Sequence, residues 1–362
     1  MQFRVGVIGG GWYGCHIAYS LGNLGFDVAL FDRHSVLMQE ASGNNQFRLH
    51  LGFHYARHHA TRLQSRDGFQ RFIERYPTLS GEITKNIYAV PEQGSLLDFN
   101  TYKLVMAASG IDYVEMQDVP DFLQSIEGCL LTRERVIHLH RARAFFQENL
   151  GSNLQLETEV QSVRDAGDHV SINGQRFDYV VDATWGHLRP LPINVYFEPT
   201  LLLYYESKDV PALTLVDGPL FSVYPTEDPQ IHTLSSVVHT SLGRYATAAE
   251  ARARHAQVDL SLVKEKRMAM EAQASVNFPA FRDMFRFAGI QLGIKTKPIA
   301  TYDDRSCYVF QDGRIFSVMS GKIDTIFFAT ERILSLMAAA NSMRSSSEGP
   351  TSFRQNILMP TV

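Results

Sequence analysis

Apolar residues fill positions 5–8 and again 28–31, two runs short and continuous enough to be strands buried on both faces. Between them, 15–24 reads as a helix that Gly25 ends, and Asp32 closes the second run. Residues 41–57 (ASGNNQFRLHLGFHYAR) hold neither period and are dense in Asn, His, Arg and aromatics, which marks a functional loop. From His58 the pattern turns helical, with Phe69, Phe72, Ile73 and Tyr76 at i, i+3, i+4 and i+7, until Pro77 stops it. A strand is predicted over 82–90, then a helix opening on a capping-box-like Ser95 and Asp98 and running to 108. Strands over 112–116 and 128–131 and a helix over 139–150, ended by Gly151, complete this stretch.

Further strands are predicted over 154–163, 170–172 and 175–177, and DYVVDATWG at 178–186 is a buried strand entering a small-residue turn. Residues 193–207, 220–224 and 231–239 are β-branched and aromatic runs separated by Pro, Gly and Asp clusters, the pattern of an antiparallel meander. Thr247 with Glu250 should cap one long helix over 247–274, ended before Pro279. Strands over 288–299 and 314–319, the turn SGKIDT at 320–325, a helix to 340 and a loosely ordered Ser-rich tail from 341 close the chain. Buried parallel-type strands at both ends and a meander between them imply two architectures.

At 362 residues the chain exceeds one ordinary core, and 45% hydrophobic with 20% charged residues is ordinary for a soluble globular protein. A formal net charge of -4 argues against a general electrostatic grip on nucleic acid. Three cysteines, Cys15, Cys129 and Cys307, form neither a disulfide framework nor a C-x-x-C zinc motif. With no membrane-spanning run, and with the first apolar residues needed for a strand rather than a leader, a cytoplasmic location is expected.

Gly9, Gly11 and Gly14 have G-x-G-x-x-G spacing between a strand and a helix. That pattern supplies a tight turn, close backbone approach to a pyrophosphate and close helix–strand packing. A diphosphate would rest on the helix N-terminus and Asp32 would bond a ribose hydroxyl, which leaves NAD, NADP and FAD open. Together with the DxVVxATxG strand, these motifs resemble the FAD-dependent D-amino-acid oxidase, glycine oxidase and sarcosine oxidase superfamily. The likeness covers residues 1–60, 136–190 and 300–340.

That resemblance implies an α/β chain, α+β overall, in which a Rossmann-type FAD-binding domain carries an inserted, mainly antiparallel β-sheet substrate domain. The FAD domain would comprise 1–80, 136–190 and 300–362, and the substrate or cap domain 81–135 and 191–299. It implies a diphosphate cradle from Gly9 to Gly14, including Trp12 and Tyr13, with Asp32 and Arg33 at the adenosine ribose. Ser42, Asn44, Asn45, Gln46, Arg48 and Leu49 would lie along the flavin, and Val160 on a strand against the adenine. Ala183, Thr184, Trp185 and Gly186 match the second FAD turn. Gly321, Lys322, Ile323, Asp324 and Thr325 stand where the family places a turn under the flavin pyrimidine, and Arg305 lies nearby. Amides, a helix dipole and a lysine there would favour negative charge on a reduced ring.

Arg48 suits a bidentate grip on a substrate carboxylate, or equally a bond to FAD phosphate or a neighbouring acid. Arg305 could be that clamp instead, although Asp303 and Asp304 beside it favour a local ion pair. His50 is expected to orient substrate or flavin, Tyr55 and Tyr224 to line the cavity, and Lys322 to serve the flavin. His50, His54, His58 and His59 lack a carboxylate companion and an ordered ligand geometry, so no metal is expected. Tyr204 and Tyr205 are cavity or core residues, and Cys15 and Cys307 are small packing residues. The stretch at Cys307–Tyr308 also resembles the segment through which sarcosine oxidases bind their flavin covalently, which implies a covalent link as the alternative for Cys307.

The expected activity is FAD-dependent oxidation of a C–N bond in a small amine or amino acid, with oxygen or another acceptor taking the electrons. A C–O oxidase of 2-hydroxy-acid type, a flavin monooxygenase, and a silent FAD-binding protein share the motifs.

Overall fold

The computed structural model describes residues 3–299 and 304–345, so Asp303 and the tail beyond 345 lie outside the described residues. The chain divides into two compact units, one of 1–42, 142–194 and 306–362, the other of 43–141 and 195–305. Residues 43–80, which the resemblance places in the FAD domain, fall in the second compact unit.

The first unit is built on a six-stranded sheet in the order Tyr308–Asp312, Ile315–Met319, Tyr179–Asp182, Arg4–Ile8, Asp27–Phe31, Leu154–Gln155. All neighbours run parallel except the first pair. Val5, Val7, Val180, Val181, Phe316 and Val318 have no exposure, which explains their unbroken apolar runs: both faces of such a sheet are covered. A small antiparallel sheet of Val163–Asp165, Val170–Ile172 and Gln175–Phe177 sets Ile172 and Phe177 against Ile8, Ala29 and Phe31. Ile326, Ala329, Ile333 and Met337 form the buried stripe of the helix Ile326–Ser345.

In the second unit an eight-stranded sheet runs Arg286–Pro298, Val195–Glu206, Ile231–Ser236, Phe221–Pro225, Ala212–Leu215, Asn86–Pro91, Ile126–Leu131, Val114–Glu115. It is antiparallel except where Ala212–Leu215 meets Asn86–Pro91. Period-two alternation splits its faces. Ile87 and Ala89 join the core under helix Leu260–Asn277, whereas Tyr88 and Val90 pack with Phe53, Tyr102 and Met106. Beside it stands a three-stranded sheet of Arg48–Leu49, Arg135–Ile137 and Ser80–Glu82.

The structure departs from the pattern at several places. The strand predicted over 154–163 stops at Gln155, where Glu157 takes a positive φ of 51° and Thr158 donates to the Asp32 carbonyl. Val160 is therefore a buried loop residue, not a strand residue. Thr247 and Glu250 form their capping box, but that helix ends at Ala256. Asp259 then accepts from the Leu262 amide and starts a second helix, Leu260–Asn277. At Phe99–Ala108 the cap is Asp98 itself, accepting from Thr101, while Ser95 bonds to Leu97 and Asp217 instead. Strands Ala212–Leu215 and Tyr308–Asp312 were not foreseen.

Candidate functional site

Because the four central strands of the first sheet run parallel, their carboxyl ends share one edge. Gly9, Asp32, Ala183 and Ser320 follow directly on those ends. Gly9 has φ +100°, and a Cβ there would stand 2.8 Å from the Ala183 carbonyl oxygen. A Cβ on Gly14 would collide with the Gly9 carbonyl, so that glycine lets helix Trp12–Asn23 approach the strand. Gly11 is the N-cap and offers no side chain to the first-turn amides. The Ser42 hydroxyl accepts from the Trp12 amide at 3.1 Å. The Asp32 carboxylate is aimed by two amides, Gly10 N at 2.6 Å and His34 N at 2.8 Å. Arg33 and His34 both hold Glu40.

The other two strand ends are knit to this helix. Asp182 accepts from Thr184 N and Oγ1 at 2.9 and 2.6 Å, while Trp185 and Gly186 take positive φ values of 55° and 78°. Trp185 Nε1 donates to the Ser320 carbonyl at 2.6 Å, and its ring meets Tyr13 edge-on at 4.9 Å. Tyr13 OH reaches the Lys322 carbonyl at 2.7 Å and Thr325 Oγ1 at 2.6 Å. Ser320 Oγ lies 2.8 Å from Thr325 Oγ1 and accepts from the Lys322 amide. Gly321 is exposed, Lys322 and Ile323 are half-buried, and Asp324 and Thr325 are buried in the turn Ile323–Thr325 that opens the last helix. Burial pushes the Cys15 thiol well above its ordinary value, so it is a packing residue despite its place in the first helix.

Arg48 and His50, two apart on an extended segment, both approach Glu134 in the second unit. Arg48 Nη1 lies 3.9 Å from Glu134 Oε2, and His50 Nδ1 lies 3.5 Å from Oε1. Arg48 is only 4% exposed. Its Nη1 donates to Tyr88 OH at 2.8 Å and Thr214 Oγ1 at 2.7 Å, and its Cζ lies 4.0 Å from the centroid of Tyr224. Tyr88 OH in turn donates to Glu134 Oε2 at 2.7 Å, and the Leu51 amide to Oε1 at 2.8 Å. Nε and Nη2, the other edge of the guanidinium, are buried with no hydrogen-bond partner among the described residues. Burial raises the Glu134 carboxyl against the opposing pull of Arg48, and burial raises Tyr88 and Tyr224 well above the usual phenol range.

The remaining candidates in this unit have particular tasks. Asn45 Oδ1 accepts from Phe47 N, and Gln291 donates to the Asn45 carbonyl. Gln46 is pinned to Ser222 and Thr233, and the Asn44 carbonyl packs close to Gly293. Leu49 is core. His50, His54 and Tyr55 form a ring cluster with centroids 5.4–5.7 Å apart. Tyr224 is fully buried and donates to the Arg135 carbonyl at 3.1 Å. Arg305 donates its amide to Thr61 Oγ1, and Tyr205 bonds Glu271 in the core. Glu134, Tyr88 and Thr214 were missed by sequence reading. Glu134 stands between two arginines, like an ordinary surface charge.

A glycine cradle at a helix N-terminus, with an acid on the next strand end, defines a dinucleotide-binding protein. The particular family follows from comparison. The family model DAO, FAD dependent oxidoreductase, matches residues 4–293, and the chain belongs to that family. It is an FAD-dependent oxidoreductase, an enzyme with FAD as its cofactor. It is 58% identical over 334 residues to the FAD-dependent monooxygenase FPY4 of Fusarium mangiferae, covering 92% of this chain and 90% of that one. In fold it resembles glycine oxidase from Geobacillus kaustophilus, with a TM-score of 0.67 at 14% identity over 92% and 93% of the two chains. It also resembles dithionite-reduced L-α-glycerophosphate oxidase from Mycoplasma pneumoniae with FAD bound, at TM-score 0.69 and 13% identity over 93% and 95%. Among the described residues, no helix is long and apolar enough to cross a membrane, and no three His, Cys, Asp or Glu side chains group as metal ligands.

Proposed function

We propose that this enzyme oxidises a C–N bond in a small amine or amino acid that carries a carboxylate. The observation that carries the reading is the Arg48 guanidinium, buried, with Nη1 committed to Tyr88 and Thr214 and the Nε–Nη2 edge without a partner among the described residues. A planar carboxylate matches that edge bidentately. Bound FAD would supply the hydride acceptor of the reaction, with oxygen or another acceptor taking the electrons. The glycine cradle with Trp12 and Tyr13 fits its diphosphate, Asp32 its ribose, and the Ala183–Gly186 and Gly321–Thr325 turns with Lys322 the rest of the cofactor. Arg33, Ser42, Val160 and Arg305, with Asn44, Asn45, Gln46 and Leu49, are proposed as secondary contacts. Arg48 orients the substrate by its carboxylate, and His50, Tyr55 and Tyr224 wall the place where it docks. A neutral amine gives up hydride without a base on the protein. Three free thiols suit a cytoplasmic setting.

The test is anaerobic mixing of the yellow protein with amines, amino acids and 2-hydroxy acids. Bleaching by an amino acid, and none by the corresponding decarboxylated amine, supports the reading. Bleaching by hydroxy acids alone replaces it with C–O oxidation.

A second reading, monooxygenation, is favoured by the 58% identity to a protein named a monooxygenase. Isotopically labelled oxygen separates the two, since only monooxygenation leaves one labelled atom in the organic product.

A further inference from the structure

The Arg48 cluster has a charge balance that constrains how it takes an anion. Glu134 accepts at both oxygens, from the Leu51 amide and Tyr88 OH, which is the pattern of an ionised carboxylate. At 3.9 Å it is the counter-charge of the buried Arg48. The pair is therefore neutral before any substrate arrives. A carboxylate on the Nε–Nη2 edge would make two carboxylates share one guanidinium in a desolvated place, and two such groups do not both stay ionised.

We propose that docking an anion on Arg48 takes up one proton, which lands on Glu134 or on the adjoining imidazole of His50. This rests on the reading of Arg48 as the anion anchor and adds what that reading lacks, a proton stoichiometry. Few groups compete for the proton. Arg48 and His50 face Glu134 from the segment at 48–50, with His54 beyond them. Tyr88 faces it from strand Asn86–Pro91, Tyr102 from helix Phe99–Ala108 and Tyr224 from strand Phe221–Pro225. Burial pushes all three phenols well above their usual range, so they remain neutral donors, and Arg48 stays charged. Among the described residues that face the pair, Glu134 and the histidines are left to accept. Glu134 is a positioning residue here: it fixes the Tyr88 hydroxyl that takes Arg48 Nη1 and sets the charge the site shows to substrate.

The experiment uses FAD-loaded protein, benzoate as probe and benzamide as its uncharged counterpart. Calorimetry at pH 8 in two buffers of different ionisation enthalpy counts protons taken up. The expected result is close to one proton per benzoate, none with benzamide, and a benzoate Kd rising about tenfold per pH unit. In Glu134→Gln, which cannot ionise, benzoate binds at least tenfold tighter at pH 8 with less proton uptake. Should that variant fail to fold, Tyr88→Phe keeps the ring but removes a donor to the Glu134 carboxylate, so Glu134 ionises less readily and the pH range over which benzoate takes up a proton moves upward. An unmoved range overturns the role of Glu134. Benzoate bound through Arg48 with no proton uptake in the wild type overturns the inference alone. Benzoate that binds no better than benzamide, and is indifferent to Arg48→Met, overturns the anion-anchor reading itself.

Discussion

At the proposed nucleotide edge of the first unit the work is done by backbone: a positive φ at Gly9, a helix brought close by Gly14, and amides that aim Asp32. In the Arg48 cluster of the second unit it is done by side chains gathered from residues 48, 88, 134, 214 and 224. The first kind of site tolerates no added atom but is indifferent to most side chains. The second tolerates small shifts in shape but depends on charge and on hydrogen-bond count.

The strongest challenge to this contrast is Gly14→Val, whose side chain would collide with the Gly9 carbonyl. The purified variant should lack flavin absorbance, and a yellow Gly14→Val protein would show that the helix can retreat without losing the cofactor. Arg48→Met leaves Glu134 buried without its counter-charge and should cost about 3 kcal/mol in urea denaturation. It should also raise KM for a carboxylate substrate roughly a hundredfold, and Arg48→Lys should not restore it, lacking the planar fork. Tyr13→Phe removes a hydroxyl that reaches Lys322 and Thr325, a loss of about 1 kcal/mol. Titration of apoprotein by flavin fluorescence should show roughly fivefold weaker FAD binding, with substrate KM unchanged. Smallest is Gly22→Ala, in the same helix as Gly14 but with nothing within 4 Å of the added Cβ. It should keep its flavin and gain about 0.5–1 kcal/mol in the same urea titration. Loss of flavin there would mean the helix as a whole, rather than the close approach at Gly14, is what the cofactor requires.

The same contrast decides what was legible in the sequence. Gly9, Gly11, Gly14 and Asp32 lie within twenty-four residues, and buried parallel strands leave unbroken apolar runs, so the first sheet could be read before it was seen. Glu134 could not, because its meaning depends on Arg48 and Tyr88, far away in sequence and brought near only by strand pairing. Local chemistry also misled. Val160 looks like a strand residue, yet the chain had already turned at Glu157. The long apolar pattern over 247–274 hid a second cap at Asp259. Ala212–Leu215 is four residues after a proline, too short a run to stand out.

The three separate stretches that make up the first unit have a consequence for biosynthesis. Its parallel edge takes Gly9 and Asp32 early, Ala183 midway and Ser320 only after the strand Ile315–Met319 has been made. A ribosome-bound chain therefore carries the glycine motif for most of its synthesis before the proposed cofactor edge is complete. Pairing Val180 with Ile315 and Asp182 with Ser317 bridges well over a hundred residues, a slow long-range closure. On the proposed cofactor site, FAD would meet all of its partners only at the end of synthesis, and cellular flavin supply would then act as a late selector of folded chains.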